Sequence, residues 1–412
     1  MTTLALTYRE PSSRSSGYDL RVDQLVRQTA GEVHLAVVPV TEDGLRTVGS
    51  GPLPPYRTVH RLTGLAEGPQ SFRRHLRTSD SWYLRRSRPR AFAEVRDRLS
   101  ELIAELDVDW VVVFGQDLTE LVVSTGHPRA VLDVCDSFVL TRRRQLEVLP
   151  PASALGRAKA RIDLARARSH EARLPRQFHR VTTISEQDSD EIRGLSGTTS
   201  GVVTIPNGVD EQFLGEMPPP GRRRGVAFWG NLDFGPNVEA LRYFLHEVYQ
   251  PHLEAQGVHV RIVGANAPTW LVELAQADTQ VELTGFVDDL REAVADLPVV
   301  VNAMRTGSGM KNKVLEAFGI GLAVVTTTRG IEALASARAG THVAVADDAP
   351  EFARAVLRLL DDEEERGRMR SAAHELLLAE YQWSVIGEAW RRLFDLGPAP
   401  TGPGGSGRQV EP

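Results

Sequence analysis

The sequence predicts two doubly wound α/β domains facing a cleft. Short apolar, β-branched runs alternate with helical segments twice along the 412 residues, as in parallel sheets covered by helices. The turn Pro206-Asn-Gly-Val-Asp210 and a Pro/Gly/Arg stretch from Met217 to Gly225 part the two series, which is the composition of a domain boundary. Within the second series, LPVVVNAMRTGSGMKNKVLEAFGIGLAVVTTTRG, Leu297 to Gly330, reads as strand, glycine turn, helix and strand. That is one complete βαβ unit.

The first series opens with a strand, Leu4 to Tyr8, and a Ser/Gly loop from Pro11 to Gly17 that faces the ligand edge of such a sheet. A helix follows from Tyr18 to Thr29, with Leu20, Leu25 and Val26 on one side, and then a strand from Val33 to Val40. Thr41 to Gly68 is rich in Gly and Pro and carries no periodic pattern. From Phe72 to Arg90 the chain holds Arg73, Arg74, Arg77, Arg85, Arg86, Arg88 and Arg90, with Trp82 and Tyr83 among them. This run reads as a solvated helical face, or as a contact for an anionic acceptor or a membrane surface. A helix at Phe92–Leu106 leads into the strand Trp110–Phe114, which ends at Gly115 and Gln116. The strand Ala130–Val134 ends in Cys135, Asp136 and Ser137. Cys135 reads as a small buried apolar residue; Asp136 is a candidate for contacting substrate, with helix capping as its plainer role. Ala154–Arg180 is an arginine-rich helix broken near Pro175, and strands Val181–Ile184 and Val202–Ile205 flank a helix at Glu186–Arg193.

In the second series the strands are Val226–Trp229, His259–Val263, Val281–Thr284, Val299–Asn302, Ala323–Thr326 and His342–Val345. Helices fall between them at Asn237–Glu254, Pro268–Ala277, Asp288–Ala295, Met310–Phe318 and Ile331–Ala337. The chain then turns helical at Glu351–Leu360, Glu363–Glu380 and Trp383–Leu396, and the Gly/Pro-rich tail 397–412 is expected to be disordered. The domains are therefore placed at 1–205 and 206–382.

Composition narrows the classes of function. Hydrophobic residues at 42% and charged residues at 25% are those of a soluble globular protein. A net charge of −6 gives no global signal for nucleic acid. One cysteine, a start without a basic and apolar leader, and no apolar run near the roughly 18 residues of a membrane span predict a cytoplasmic protein. No cluster of His, Cys and carboxylates has metal-site spacing, so no essential metal is expected.

The βαβ unit carries the chemistry. Its helix N-terminus sits at the carboxyl edge of the sheet, where free N–H groups and the positive dipole end favour a phosphate. Gly307, Ser308 and Gly309 allow close backbone approach, and Met310, Lys311, Asn312 and Lys313 follow, two of them cationic. Glu316 lies one turn on, on the face of Lys313, where a carboxylate accepts a diol such as ribose presents. The segment is not a Walker loop, because Lys311 is followed by Asn312. Solvated lysines and a simple Lys313–Glu316 pair are the competing reading.

With these segments placed, the chain resembles a retaining glycosyltransferase of the GT-B fold, family 4. The resemblance rests on FWGNLDFGPNVEAL, RIVGANAP, VELTGFVDDL and GMKNKVLEAFGIGLAVVTTTRGIEAL in order, with looser matches at SSGYDLRVDQLV, VLDVCDSF, VTTISEQDSDEI and TIPNGVDEQFL. It implies a nucleotide-sugar donor held by the C-terminal domain and an unidentified glycan or small-molecule acceptor held by the N-terminal one. By the same resemblance, Glu316 binds the ribose hydroxyls, Gly309 to Lys313 receive the diphosphate and sugar, Gly230 and Asn231 belong to the donor site after the first strand of that domain, and Gly17 lies in the N-terminal loop near the diphosphate. Phe286 and Val287 pass the nucleobase, and the helix at 383–396 crosses back onto the first domain.

Three positions depart from the family pattern. Ser308 stands where the first of two glutamates falls, Asn231 and Pro236 stand where an Arg and a Lys are common, and Cys135 or Asp136 falls where a histidine often sits. Lys311 and Lys313 are expected to replace the missing cations, and Ser308 suggests a donor with an altered hydroxyl pattern, such as a deoxy or amino sugar. Retention without a protein nucleophile implies front-face displacement, in which Lys313 and the helix N-terminus stabilise the leaving diphosphate and Asp136 holds a sugar hydroxyl or the acceptor. Two alternatives stand beside this reading: a non-catalytic GT-B partner subunit, and a nucleotide-sugar epimerase, against which the transferase-like motifs argue.

Overall fold

The computed structural model describes residues 1–11, 17–40, 56–65, 85, 88–148, 150–215, 217, 219, 221–307 and 309–394. Their strands form two wholly parallel sheets. The first holds β1 (Thr2–Thr7), β2 (Glu32–Val37), β3 (Val59–Arg61), β4 (Trp110–Phe114), β5 (Ala130–Cys135), β6 (Arg180–Thr183) and β7 (Val202–Thr204), in the order β3-β2-β1-β4-β5-β6-β7. The second holds β8 (Gly225–Trp229), β9 (His259–Val263), β10 (Val281–Gly285), β11 (Val299–Asn302), β12 (Ala323–Thr326) and β13 (Ala344–Val345), in the order β10-β9-β8-β11-β12-β13. Each order reverses once, beside β1 and beside β8. Those two switch points are where open parallel sheets leave a crevice at their carboxyl ends.

Strand alternation builds the core. Leu4 and Leu6 pack on one side of the first sheet with Val111 and Val113, while Ala5, Trp110, Val112 and Phe114 face the other. In the second sheet Val226, Phe228, Val299 and Val301 share one face, and Ala227, Trp229 and Val300 the opposite one. Helix Trp383–Arg391, near the end of the described chain, seals the first sheet: Trp390 is fully buried, its ring lies 6.2 Å from that of Phe114, and its Nε1 donates to Thr29 Oγ1 at 2.9 Å. Gly208 allows this return, because a Cβ there would sit 2.8 Å from the Trp383 ring.

Several elements differ from the sequence reading. β3 lies inside the Thr41–Gly68 stretch read as patternless; as a half-exposed edge strand it shows no apolar run. Helices Thr119–Thr125 and Phe138–Val148 were not anticipated, the first being short and rich in β-branched residues, the second rich in arginine. The break expected near Pro175 falls at 172–173, because Pro175 is accommodated in the first turn of the next helix, Leu174–Gln177. The helix expected at Ile331–Ala337 is only Thr328–Ile331, capped by Thr327, and the chain continues in turns. The Asn237–Glu254 helix begins at Gly235 and passes from α to π geometry at Phe244, a register change that accommodates Pro251, which has no N–H. Finally, the helix read from Met310 begins at Asn312 and ends at Ile320, so Lys311 occupies its cap rather than its first turn. The Arg-rich run 72–90 and the tail 397–412 lie largely or wholly outside the described residues.

Candidate functional site

A cavity of about 670 Å³ is lined from both domains. Arg9, Gly17 and Tyr18, which follow β1, and Asp136, which follows β5, supply one wall; Asn231, Phe234, Gly307, Lys311 and Asn312, which follow β8 and β11, supply the other. The loops after β1, β8 and β11 are those that the switch points bring to the crevice.

The glycine turn after β11 enters helix Asn312–Ile320. Gly307 and Gly309 have φ of +85° and +69°, left-handed values that side chains resist. A Cβ at Gly309 would overlap the Asp136 carboxylate. No side chain caps this helix, which leaves its N-terminal N–H groups for an anion. Lys311, at the cap, donates to the Gly309 carbonyl at 3.2 Å, and burial lowers its pKa against the pull of Asp136.

Lys313 and Glu316 stand one layer behind. The Lys313 ammonium donates to Asn237 Oδ1 at 2.8 Å and lies 4.1 Å over the Phe228 ring. Burial brings its pKa down to about 7, with the Glu316 charge opposing. Glu316 accepts from Trp229 Nε1 at 2.6 Å, and burial raises its carboxyl while that hydrogen bond and Lys313 lower it. Asn237 also donates to the Asn231 carbonyl at 2.9 Å and packs against Gly230, whose φ is +144°. One amide thus fixes the loop after β8 and the ammonium delivered from β11's helix.

The opposite wall rests on a buried ion pair. Arg21 donates to Asp133 through Nη2 at 2.6 Å and Nε at 2.8 Å, both side chains being almost wholly excluded from solvent. Arg21 Nη1 reaches Asn207 Oδ1 at 2.9 Å, and Asn207 Nδ2 donates to Asn312 Oδ1 at 3.0 Å. Four side chains therefore tie β5, the turn at Asn207 and helix Asn312–Ile320 together. Cys135 donates to Asp133 at 3.2 Å, and burial pushes its thiol pKa well up, the opposite of an activated nucleophile.

Asp136 projects from this wall toward Gly309. Burial and then the Asp188 charge raise its pKa to about 6, with Lys311 opposing. Among the described residues its Oδ1 has no hydrogen-bond partner. It does not cap helix Phe138–Val148: the backbone N–H of Ser137 donates to Asp188 at 2.9 Å and that of Phe138 to Glu171 at 2.5 Å. Across the cleft, Arg144 donates to the Gly307 carbonyl at 3.0 Å and pairs with Glu332, while Glu147 pairs with Arg329 at 2.7 Å.

Residues 223–362, which contain β8 to β13, match the family of glycosyl transferases group 1. This segment is thus similar to a group 1 glycosyltransferase domain. Solved structures resemble nearly the whole chain and show the fold to be GT-B. Sucrose-phosphate synthase from Thermosynechococcus elongatus is 15% identical, with a TM-score of 0.68 over 96% of this chain and 100% of that one. HepE of Anabaena, solved with UDP-glucose, is 14% identical, with a TM-score of 0.66 over 96% and 99%. WaaG, a glycosyltransferase involved in lipopolysaccharide biosynthesis, is 13% identical, with a TM-score of 0.60 over 95% and 99%. No curated protein matches the sequence.

Gly17, Asp136, Asn231, Gly307, Met310, Lys311 and Asn312 share the cavity lining, and Gly309 abuts Asp136. Gly230, Lys313 and Glu316 form the layer behind. Phe286 is 73% exposed and Val287 packs on the apolar cluster beneath the domain; neither lines the cavity. Ser308 lies outside the described residues. Arg21, Arg144, Asn207, Trp229 and Asn237 also belong to the site, without a local signal in the sequence. Asn207 stands in the Pro206–Asp210 turn and Asn237 beside Pro236, but neither spacing announces a partner far along the chain.

Among the described residues no group of His, Cys, Asp and Glu could hold a metal ion, and no helix is long and apolar enough to cross a membrane.

Proposed function

We propose that the protein is a retaining glycosyltransferase that moves a sugar from a nucleotide-diphosphate donor to a hydroxyl acceptor. The observation that carries this reading is the shared cavity, where an uncapped helix N-terminus and Lys311 from one domain face Asp136 from the other. HepE, of the same fold, was solved with UDP-glucose, which supports a nucleotide-sugar here. In this reading residues 206–382 hold the donor, residues 1–205 the acceptor, and helix 383–396 belongs with the latter.

The diphosphate lies over Gly307 to Asn312, with Glu316 accepting the ribose hydroxyls and Phe286 and Val287 beside the base. The cations common after β8 in the family are replaced from β11's helix. Pro236 takes the place of one of them, and the Lys313 ammonium is held by Asn237, the next residue. Asp136 supplies the carboxylate that position 308 lacks, since it touches Gly309 from the opposite wall. The bond from sugar C1 to the β-phosphate oxygen breaks, the acceptor oxygen bonds to C1 on the same face, and its proton passes to the departing phosphate. No essential metal is invoked; the helix dipole and the two lysines take the leaving charge.

The test is incubation with UDP-, GDP-, dTDP- and ADP-sugars, following release of the nucleoside diphosphate and the product's anomeric configuration by NMR. Release from one donor class with retention supports the reading. An inverted product overturns the mechanism, and no release from any donor overturns the function.

A further inference from the structure

Helix Ala154–Glu171 carries apolar residues on its outer side as well as its inner one. Its only fully buried residues are Ala167 and Glu171, yet Leu155 is 82% and Ile162 48% exposed. At 3.6 residues per turn, Leu155, Ala158, Ile162 and Ala165 fall on one line directly opposite that buried side. Exposed Arg157, Arg161 and Arg168 border this line on one flank, Arg157 also donating to the carbonyls of Pro151 and Ala152, and the half-buried Lys159 and Arg166 border it on the other. The helix's acidic residues are Asp163 and Glu171, and Glu171 is turned inward to Ser137 and Phe138. A basic apolar face therefore stands on a chain whose net charge is −6.

We infer that this face docks on an anionic lipid bilayer. An apolar ridge between two basic flanks suits a helix lying in the headgroup layer, where the ridge enters the acyl boundary and the arginines meet lipid phosphates. A second copy of the chain fits poorly, since a symmetric pairing would bring like-charged flanks together. A nucleic acid would satisfy the arginines and leave the ridge in water. The helix packs on Phe138–Val148, whose Thr141 lines the cavity and whose N-terminus follows Asp136. Resting on the transferase reading, this places the acceptor wall next to the bilayer and makes a membrane-borne acceptor the one the enzyme meets.

The test is sedimentation of the full chain with vesicles of phosphatidylcholine, alone or mixed with phosphatidylglycerol, at near-physiological salt. Binding to the anionic vesicles only is expected, and it should fall as salt rises. Each basic residue contributes about fivefold near such a surface, so Arg157→Glu with Arg161→Glu and Arg168→Glu should reduce binding by at least about 100-fold. Leu155→Asp with Ile162→Asp should also release the protein. Both variants change only exposed positions and should keep the wild-type melting temperature and nucleotide affinity. No binding to anionic vesicles, equal binding to neutral ones, or unchanged binding by folded variants would overturn the inference. So would a concentration-dependent dimer that the same substitutions dissolve. The vesicle assay needs no donor, so its failure is distinct from failure of the transferase reading.

Discussion

Nucleotide affinity should fall steeply between pH 7 and pH 9, because the Lys313 amine must be charged to serve a diphosphate. Burial brings its pKa down from 10.5 to about 7 in the empty site. A folded value below the unfolded one means the burial penalty on stability is fully present below pH 7 and is relieved as pH rises toward 10.5. A bound diphosphate restores the charge, so above pH 7 binding takes up a proton. Affinity then drops about 50-fold from pH 7 to pH 9, the slope approaching about tenfold per pH unit above pH 8. At pH 8 about 0.9 proton is taken up, since about nine-tenths of the empty sites are neutral there. Calorimetric titration of the binding nucleoside diphosphate, in buffers of different ionisation enthalpy, reads both quantities. Lys313→Met should flatten the profile. A wild-type affinity that holds constant from pH 7 to pH 9 would refute the assignment of Lys313 to the phosphate.

In turnover, Lys313→Ala should lose about 2–4 kcal/mol of transition-state stabilisation, the scale of one electrostatic donor; near-wild-type rates would contradict that. Gly309→Ala should depress turnover sharply while leaving the far-UV spectrum intact, because its φ of +69° and the Asp136 carboxylate both exclude a side chain. Arg21→Met leaves Asp133 buried without its partner and should cost about 3–5 kcal/mol in denaturant titration, with Asp133→Leu in the same chain recovering most of it. Arg144→Met removes the bonds to Gly307 and Glu332 and should cost about 1.5–3 kcal/mol while raising KM for the donor. An unchanged KM in that variant would show that the Gly307 contact does not shape the turn.

Most of the fold could be read because parallel strands buried on both faces are continuous apolar runs. Val111 to Val113 and Val299 to Val301 are unmistakable, whereas β3, an edge strand reading Val-His-Arg, carries no such signal. The helix beyond Gly309 was legible because glycine spacing and lysines are local features. Its partners were not. Asn207 lies 105 residues from Asn312, and Asn237 lies 76 from Lys313. Such pairings are made by sheet order, which nothing short-range encodes. The same limit applied to Asp136, whose strand-end position was plain while its contact with Gly309 depends on how two domains meet.

The most direct test of the donor site is calorimetric titration of the wild-type protein and of Glu316→Ala with UDP, GDP, dTDP and ADP. Micromolar binding of one nucleotide class to the wild-type protein is expected, with its loss in Glu316→Ala, where the carboxylate held by Trp229 no longer receives the ribose. Absence of binding by all four to the wild-type protein would contradict a donor site at Glu316 and turn the search toward a companion protein.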